Sequence, residues 1–105
     1  MKTDNYDACP LQIMLESVGG KWKLLIIYNL NQSGVVRFGV LNRLLPGISQ
    51  KVLTSQLKDL EADGFVSRKV YAEVPPRVEY RLTDRGHSLY PVLEIMASWA
   101  SENIQ

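Results

Sequence analysis

The run from Gly47 to Gly86, GISQKVLTSQLKDLEADGFVSRKVYAEVPPRVEYRLTDRG, constrains the fold of this chain more than any other part of it. Its helix signals agree with one another. Pro46-Gly47 stops the preceding segment, and Ser49 is a good N-cap. Ile48 and Leu53 are spaced for a hydrophobic staple. Leu53, Leu57 and Leu60 fall on one stripe by the i, i+4, i+7 rule. Gly64 stands where a C′ glycine belongs, with Phe65 placed to fold back on the last turn. Two alternating segments follow, Phe65 to Tyr71 and Arg77 to Leu82, joined by a tip that contains Pro75-Pro76. They read as a hairpin with Val66 and Val70 on one face of its first strand, and Val78, Tyr80 and Leu82 on one face of its second.

The opposite face of that helix carries Gln50, Lys51, Thr54, Ser55 and Lys58, while Asp59, Glu61 and Asp63 come only in its second half. The formal net charge of the 105 residues is only +1, yet its distribution is one-sided. No acid occurs between Ser17 and Lys58, where Lys21, Lys23, Arg37, Arg43, Lys51 and Lys58 all fall. A helix with one apolar face and one face of hydroxyls, amide and lysines suits packing on one side and the major groove of DNA on the other. Lys donates to guanine O6 and N7, Gln pairs with adenine, and Ser and Thr reach bases or phosphates. An acid-free segment is an electrostatic footprint for nucleic acid even in a nearly neutral chain. The structural alternative is an ordinary solvated face.

The rest of the chain reads as helices. Residues 1–8 are polar and expected to be loose. Pro10 suits a first helical turn, and Leu11 to Val18 carries a helix to the break at Gly19-Gly20. Lys21 to Leu30 is a second helix, apolar on most sides and so the expected central element. A turn is expected at Asn31 to Gly34, a short strand at Val35 to Arg37, and a third helix from Phe38 to Leu45 with Phe38, Leu41 and Leu45 inward. Thr83 can cap a last helix running to about Asn103, with Pro91 expected to kink it or delay its regular start. Two helices joined by a short turn, then a hairpin, make a winged helix-turn-helix. The predicted class is α+β, mostly α, in one domain spanning 1–105, with N- and C-terminal dimerisation helices.

Several motifs then point to one family. Cys9-Pro10, GGKWKLLII at Gly19 to Ile27, Arg37-Phe38, the run from Leu45 to Gly86, and PVLEIMASWA near the end resemble the HxlR family of bacterial transcription regulators. The resemblance covers Cys9 to Trp99. It implies a dimeric winged-helix repressor or activator, related in architecture to MarR-type regulators. Several such proteins respond to oxidants or electrophiles through a cysteine near the N-terminus. The implied partner is double-stranded DNA with a pseudo-palindromic operator.

Individual residues carry alternatives. Ser49, Gln50, Lys51, Thr54, Ser55 and Lys58 are the expected DNA-reading set. Arg37 could hold a phosphate at the start of the third helix, or serve as a cap or salt-bridge residue. Arg77 at the wing tip could enter a minor groove or touch phosphate. Its alternative is a charge partner for Glu73 or Glu79. Arg68, Lys69 and Arg81 are weaker candidates for the same surface. Cys9 is the only cysteine, so no internal disulfide exists. It could be a small buried hydrophobe. At the N-cap of the first helix, however, the partial positive charge favours thiolate, with Asp4 and Asp7 opposing. The last helix carries a wider apolar band than one core stripe needs. Leu89, Leu93, Met96 and Trp99, with Leu11 of the first helix, are the expected dimer contacts.

An enzyme reads poorly. His87 is the only histidine, there is no metal-ligand set, no glycine-rich phosphate loop and no serine elbow, so no metal or cofactor is expected. No apolar run is long enough to cross a bilayer and no targeting segment is visible, so no membrane partner is expected and the expected location is cytoplasmic. The competing binding class is a winged helix used only between proteins.

Overall fold

The computed structural model describes residues 9–104. The expectation for residues 1–8, and the charges of Asp4 and Asp7, lie outside them. In chain order the elements are α1 (Pro10–Val18), α2 (Lys23–Ser33), β1 (Val36–Arg37), α3 (Phe38–Leu44), α4 (Gln50–Ala62), β2 (Val66–Tyr71), β3 (Arg77–Leu82) and α5 (Asp84–Asn103). This is the winged helix-turn-helix, mostly helical with one small sheet.

The sheet is antiparallel in the order β1-β3-β2. Val66 pairs with Leu82 and Tyr71 with Arg77 in the hairpin, while Val36 pairs with Tyr80 on the other side of β3. The core runs through every layer. Ile26, Ile27 and Leu30 of α2 meet Leu41 of α3, the Leu53, Leu57 and Leu60 stripe of α4, and Val66, Tyr80 and Leu82 of the sheet. Trp22, Leu24 and Tyr28 lie partly buried against it, so α2 is the central element.

Local chemistry explains the boundaries. Ser49 Oγ accepts from the Val52 amide at 3.0 Å, the N-cap bond the sequence asks for. At the other end of α4, the Phe65 amide donates to Leu60 O at 2.9 Å and the Gly64 amide to Glu61 O at 3.1 Å. That bond pair is a Schellman motif, and Gly64 takes the left-handed φ of 82° it requires. Thr83 caps α5 by accepting from the Gly86 amide at 3.2 Å. Gly86 is buried, and a Cβ there would run into the Phe65 carbonyl and lie 2.9 Å from Leu82 Cδ2. The first turn of α5 therefore sits directly on the base of the wing.

Two expectations need correction, the bounds of the second helix and the start of the first strand. The second helix starts two residues later than Lys21 and continues through Asn31 to Ser33, so the turn is confined to its end. Asn31 is helical and its side chain meets His87 of α5 at 3.2 Å, a tertiary contact invisible in the local pattern. Of the two alternatives for Pro91, a delayed start is excluded, since α5 is helical from Asp84 onward with the proline inside it. Val66 and Val70 do share a face of β2, opposite Leu82 and Val78, but Val66 is buried while Val70 is 51% exposed, because β2 runs out beyond the core toward the wing tip. Val35 lies outside β1 and is exposed. No helix among the described residues is long and apolar enough to cross a membrane.

Candidate nucleic-acid interface

The polar face of α4 is presented as a unit. Gln50, Lys51, Thr54, Ser55 and Lys58 are all exposed. With Phe38 and Asp59 they line an open cavity of about 520 Å³ between the start of α3 and α4. Two hydroxyls on this helix already make one bond each. Ser49 Oγ accepts its cap bond and keeps its own proton to donate, while Thr54 Oγ1 donates to Gln50 O at 2.8 Å. Outward, Thr54 can therefore only accept a bond or make apolar contact, whereas the two lysines can only donate.

Arg37 is exposed and stands at the N-cap of α3, where its side chain makes no cap bond. It shares a groove with Phe38, Gly39 and the wing-tip residues Glu73 to Val78. The structure thus brings the front of α3 and the tip of the wing to one place. Arg77 is less free than Arg37. Its Nη2 lies 3.1 Å from Glu73 and its Nε 3.5 Å from Glu79, and the guanidinium stacks 3.8 Å from the Tyr71 ring centroid. Both carboxylates of the charge-partner alternative are engaged at once. Arg68, Lys69 and Arg81 are exposed on the same hairpin, and Lys69 Nζ lies 4.9 Å from the Tyr71 ring centroid.

One contact behind this surface was not legible in the sequence. Lys23, the first residue of α2, places Nζ 3.4 Å from Asp59 of α4 and donates to Ser17 O of α1 at 3.5 Å. No local signal links positions so far apart.

Cys9 is exposed and occupies the N-cap of α1, with Pro10 at N1. The Gln12 and then the Leu11 backbone amides pull its thiol below the ordinary value, against an opposing effect of desolvation, although the side chain makes no cap bond. The expected dimer residues divide. Leu11, Met96 and Trp99 are exposed, joined by Leu15, Val92 and Ile95. Leu93 is 6% exposed and belongs to the core, with Leu89 packed against it. Those two side chains face the domain's own interior, one helical stripe away from the outward set.

The fold and this surface define a helix-turn-helix transcriptional regulator with a wing. The chain belongs to the HxlR-like helix-turn-helix family, whose model matches residues 17–105. It is 47% identical over 102 residues to an uncharacterised HTH-type transcriptional regulator of Halalkalibacterium halodurans, covering 97% of this chain and 90% of that one. A MarR-family regulator structure from Porphyromonas gingivalis superposes with a TM-score of 0.87 at 40% identity, covering 99% of both chains. The redox regulator HypR in its oxidised form superposes with a TM-score of 0.83 at 44% identity, covering 92% of this chain and 99% of that one.

Proposed function

We propose that the chain is a homodimeric, sequence-specific DNA-binding regulator that inserts the N-terminal half of α4 into the major groove. The observation that carries this reading is the clustering of Gln50, Lys51, Thr54, Ser55 and Lys58 on one open face of a capped helix. The groove that joins Arg37 to the wing tip supports phosphate contacts on the flank. Arg77 contributes there through the guanidinium edge not tied to Glu73 or Glu79. The apolar band on α1 and α5 supports pairing of two copies, so that two α4 helices meet successive grooves about 34–36 Å apart.

The test is a mobility-shift titration against DNA upstream of the chain's own gene, repeated across a salt series. Specific binding whose affinity falls linearly in log–log salt is the expected result. No shift at any salt, with the protein folded, would favour a winged helix that works only between proteins.

A second reading concerns Cys9. We propose that it senses oxidants or electrophiles. Its exposure, its N-cap position and the two amides that lower its pKa support this, as does the likeness to the redox regulator HypR. With one cysteine per chain, the modified forms are an intersubunit disulfide, a mixed disulfide with a small thiol, or an alkylated thioether. Diamide, quinone or aldehyde treatment is expected to change DNA affinity in the wild type and not in Cys9→Ser.

A further inference from the structure

We infer that Lys23 is a positioning residue for DNA recognition, which neutralises Asp59 and holds its carboxylate off the approaching phosphates. This rests on the DNA-binding reading above and adds a residue outside the reading helix. Asp59 is the one acid among the described residues that line the α3–α4 cavity. It lies one turn beyond Ser55 and two beyond Lys51, so it continues the stripe that faces the groove. Its side chain is 54% exposed, and a bare carboxylate there would repel the phosphate backbone flanking the groove.

Lys23 is built to prevent this. Its side chain is only 15% exposed, so the stem is packed and the ammonium emerges beside Asp59 at 3.4 Å. The Ser17 carbonyl, accepting from Nζ at 3.5 Å, fixes the ammonium from the α1 side. A lysine this covered is poorly placed to reach DNA itself. It acts through Asp59, and it ties the last turn of α1 to the reading helix.

The test uses the full chain and a labelled duplex that the wild-type protein recovers from a random-sequence pool. Four proteins are titrated: wild type, Lys23→Met, Asp59→Asn and the double variant. Lys23→Met is expected to weaken binding by about tenfold, since it exposes one acid to nearby phosphates in each half-site. Asp59→Asn frees the lysine charge and is expected to bind at least as tightly as wild type. The double variant is expected to return to within about twofold of wild type, because the acid and its mask disappear together. Thermal melts of all four should lie above the titration temperature, so that affinity changes report recognition and not unfolding; Met keeps the packed length of the Lys23 stem. Wild-type affinity in Lys23→Met overturns the inference. So does a double variant as weak as Lys23→Met, which would make Lys23 itself the DNA contact. Failure of the wild type to recover any duplex overturns the DNA reading instead, and is distinguishable because it precedes every variant.

Discussion

Replacing Trp99 by alanine separates the outward band of α5 from the domain core. Trp99 is 58% exposed. For a side chain that can bury about 250 Å², that leaves about 145 Å² open to a partner. At about 25 cal/mol/Å², covering it gives an upper bound of about 3.6 kcal/mol per protomer, and a two-fold interface counts it twice. Alanine keeps part of that area, and ordering the interface consumes more. About half the bound survives, so the dimer dissociation constant should rise by roughly 200- to 1000-fold. Sedimentation equilibrium measures this directly, and DNA affinity should fall in parallel because one half-site binds weakly. The control is Leu93→Ala. Leu93 is 6% exposed and packed in the core, so its truncation should cost about 2–5 kcal/mol of folding stability. The two variants differ in concentration dependence. A Trp99→Ala protein should regain wild-type melting at high concentration, whereas Leu93→Ala should not. A Trp99→Ala chain that stays dimeric at micromolar concentration, or a monomer that binds the palindrome tightly, would refute the assignment of this band to the dimer.

Lys51→Ala and Lys58→Ala should each weaken DNA binding and lower the log–log salt slope by about 1 per half-site if a phosphate contact is lost. Unchanged slopes in both, measured by fluorescence anisotropy, would remove α4 from the interface. Arg77→Ala should weaken binding with little change in base preference, since a wing contact reaches backbone or minor groove. Equal affinity at equal stability would mean that Glu73 and Glu79 hold that guanidinium permanently. Cys9 should alkylate with a midpoint below the free-thiol value of about 8.5, because the Gln12 and Leu11 amides favour its thiolate. The rate therefore rises as pH climbs through that lowered midpoint, and a midpoint above the free-thiol value would count against a sensor.

Features whose cause is local were readable in the chain. Ser49, Gly64 and Thr83 each satisfy backbone groups within a few residues, so residue type and spacing sufficed to place both ends of α4 and the start of α5. The exposed set Gln50, Lys51, Thr54, Ser55 and Lys58 was readable for the same reason, since helical geometry alone puts it opposite the Leu53, Leu57 and Leu60 stripe. The end of α2 was not readable. Asn31, Gln32 and Ser33 look like turn residues, but Gln32 bonds Tyr90 at 2.6 Å and Asn31 meets His87, both from α5. Tertiary partners overrode local propensity.

The last helix shows most clearly where such inference stops. Its apolar residues fall on two stripes, one with Leu89 and Leu93, the other with Val92, Ile95, Met96 and Trp99. Hydrophobicity cannot say which stripe faces the domain, because both are apolar enough to be core. Two sets of contacts make the choice: Gly86, whose missing side chain lets the first turn of α5 settle against Phe65 and Leu82, and the pairing of His87 and Tyr90 with Asn31, Gln32 and Tyr28 of α2. Together they fix the rotation of the helix about its axis. Leu89 and Leu93 follow at the spacing of whole turns and face inward, which leaves Trp99 and its neighbours outward. The close approach at the wing base and the α2 contacts together leave that outward face of α5 for a second copy to cover. Enlarging Gly86 to alanine should therefore disturb dimerisation as well as folding, although it lies far along the helix from Trp99.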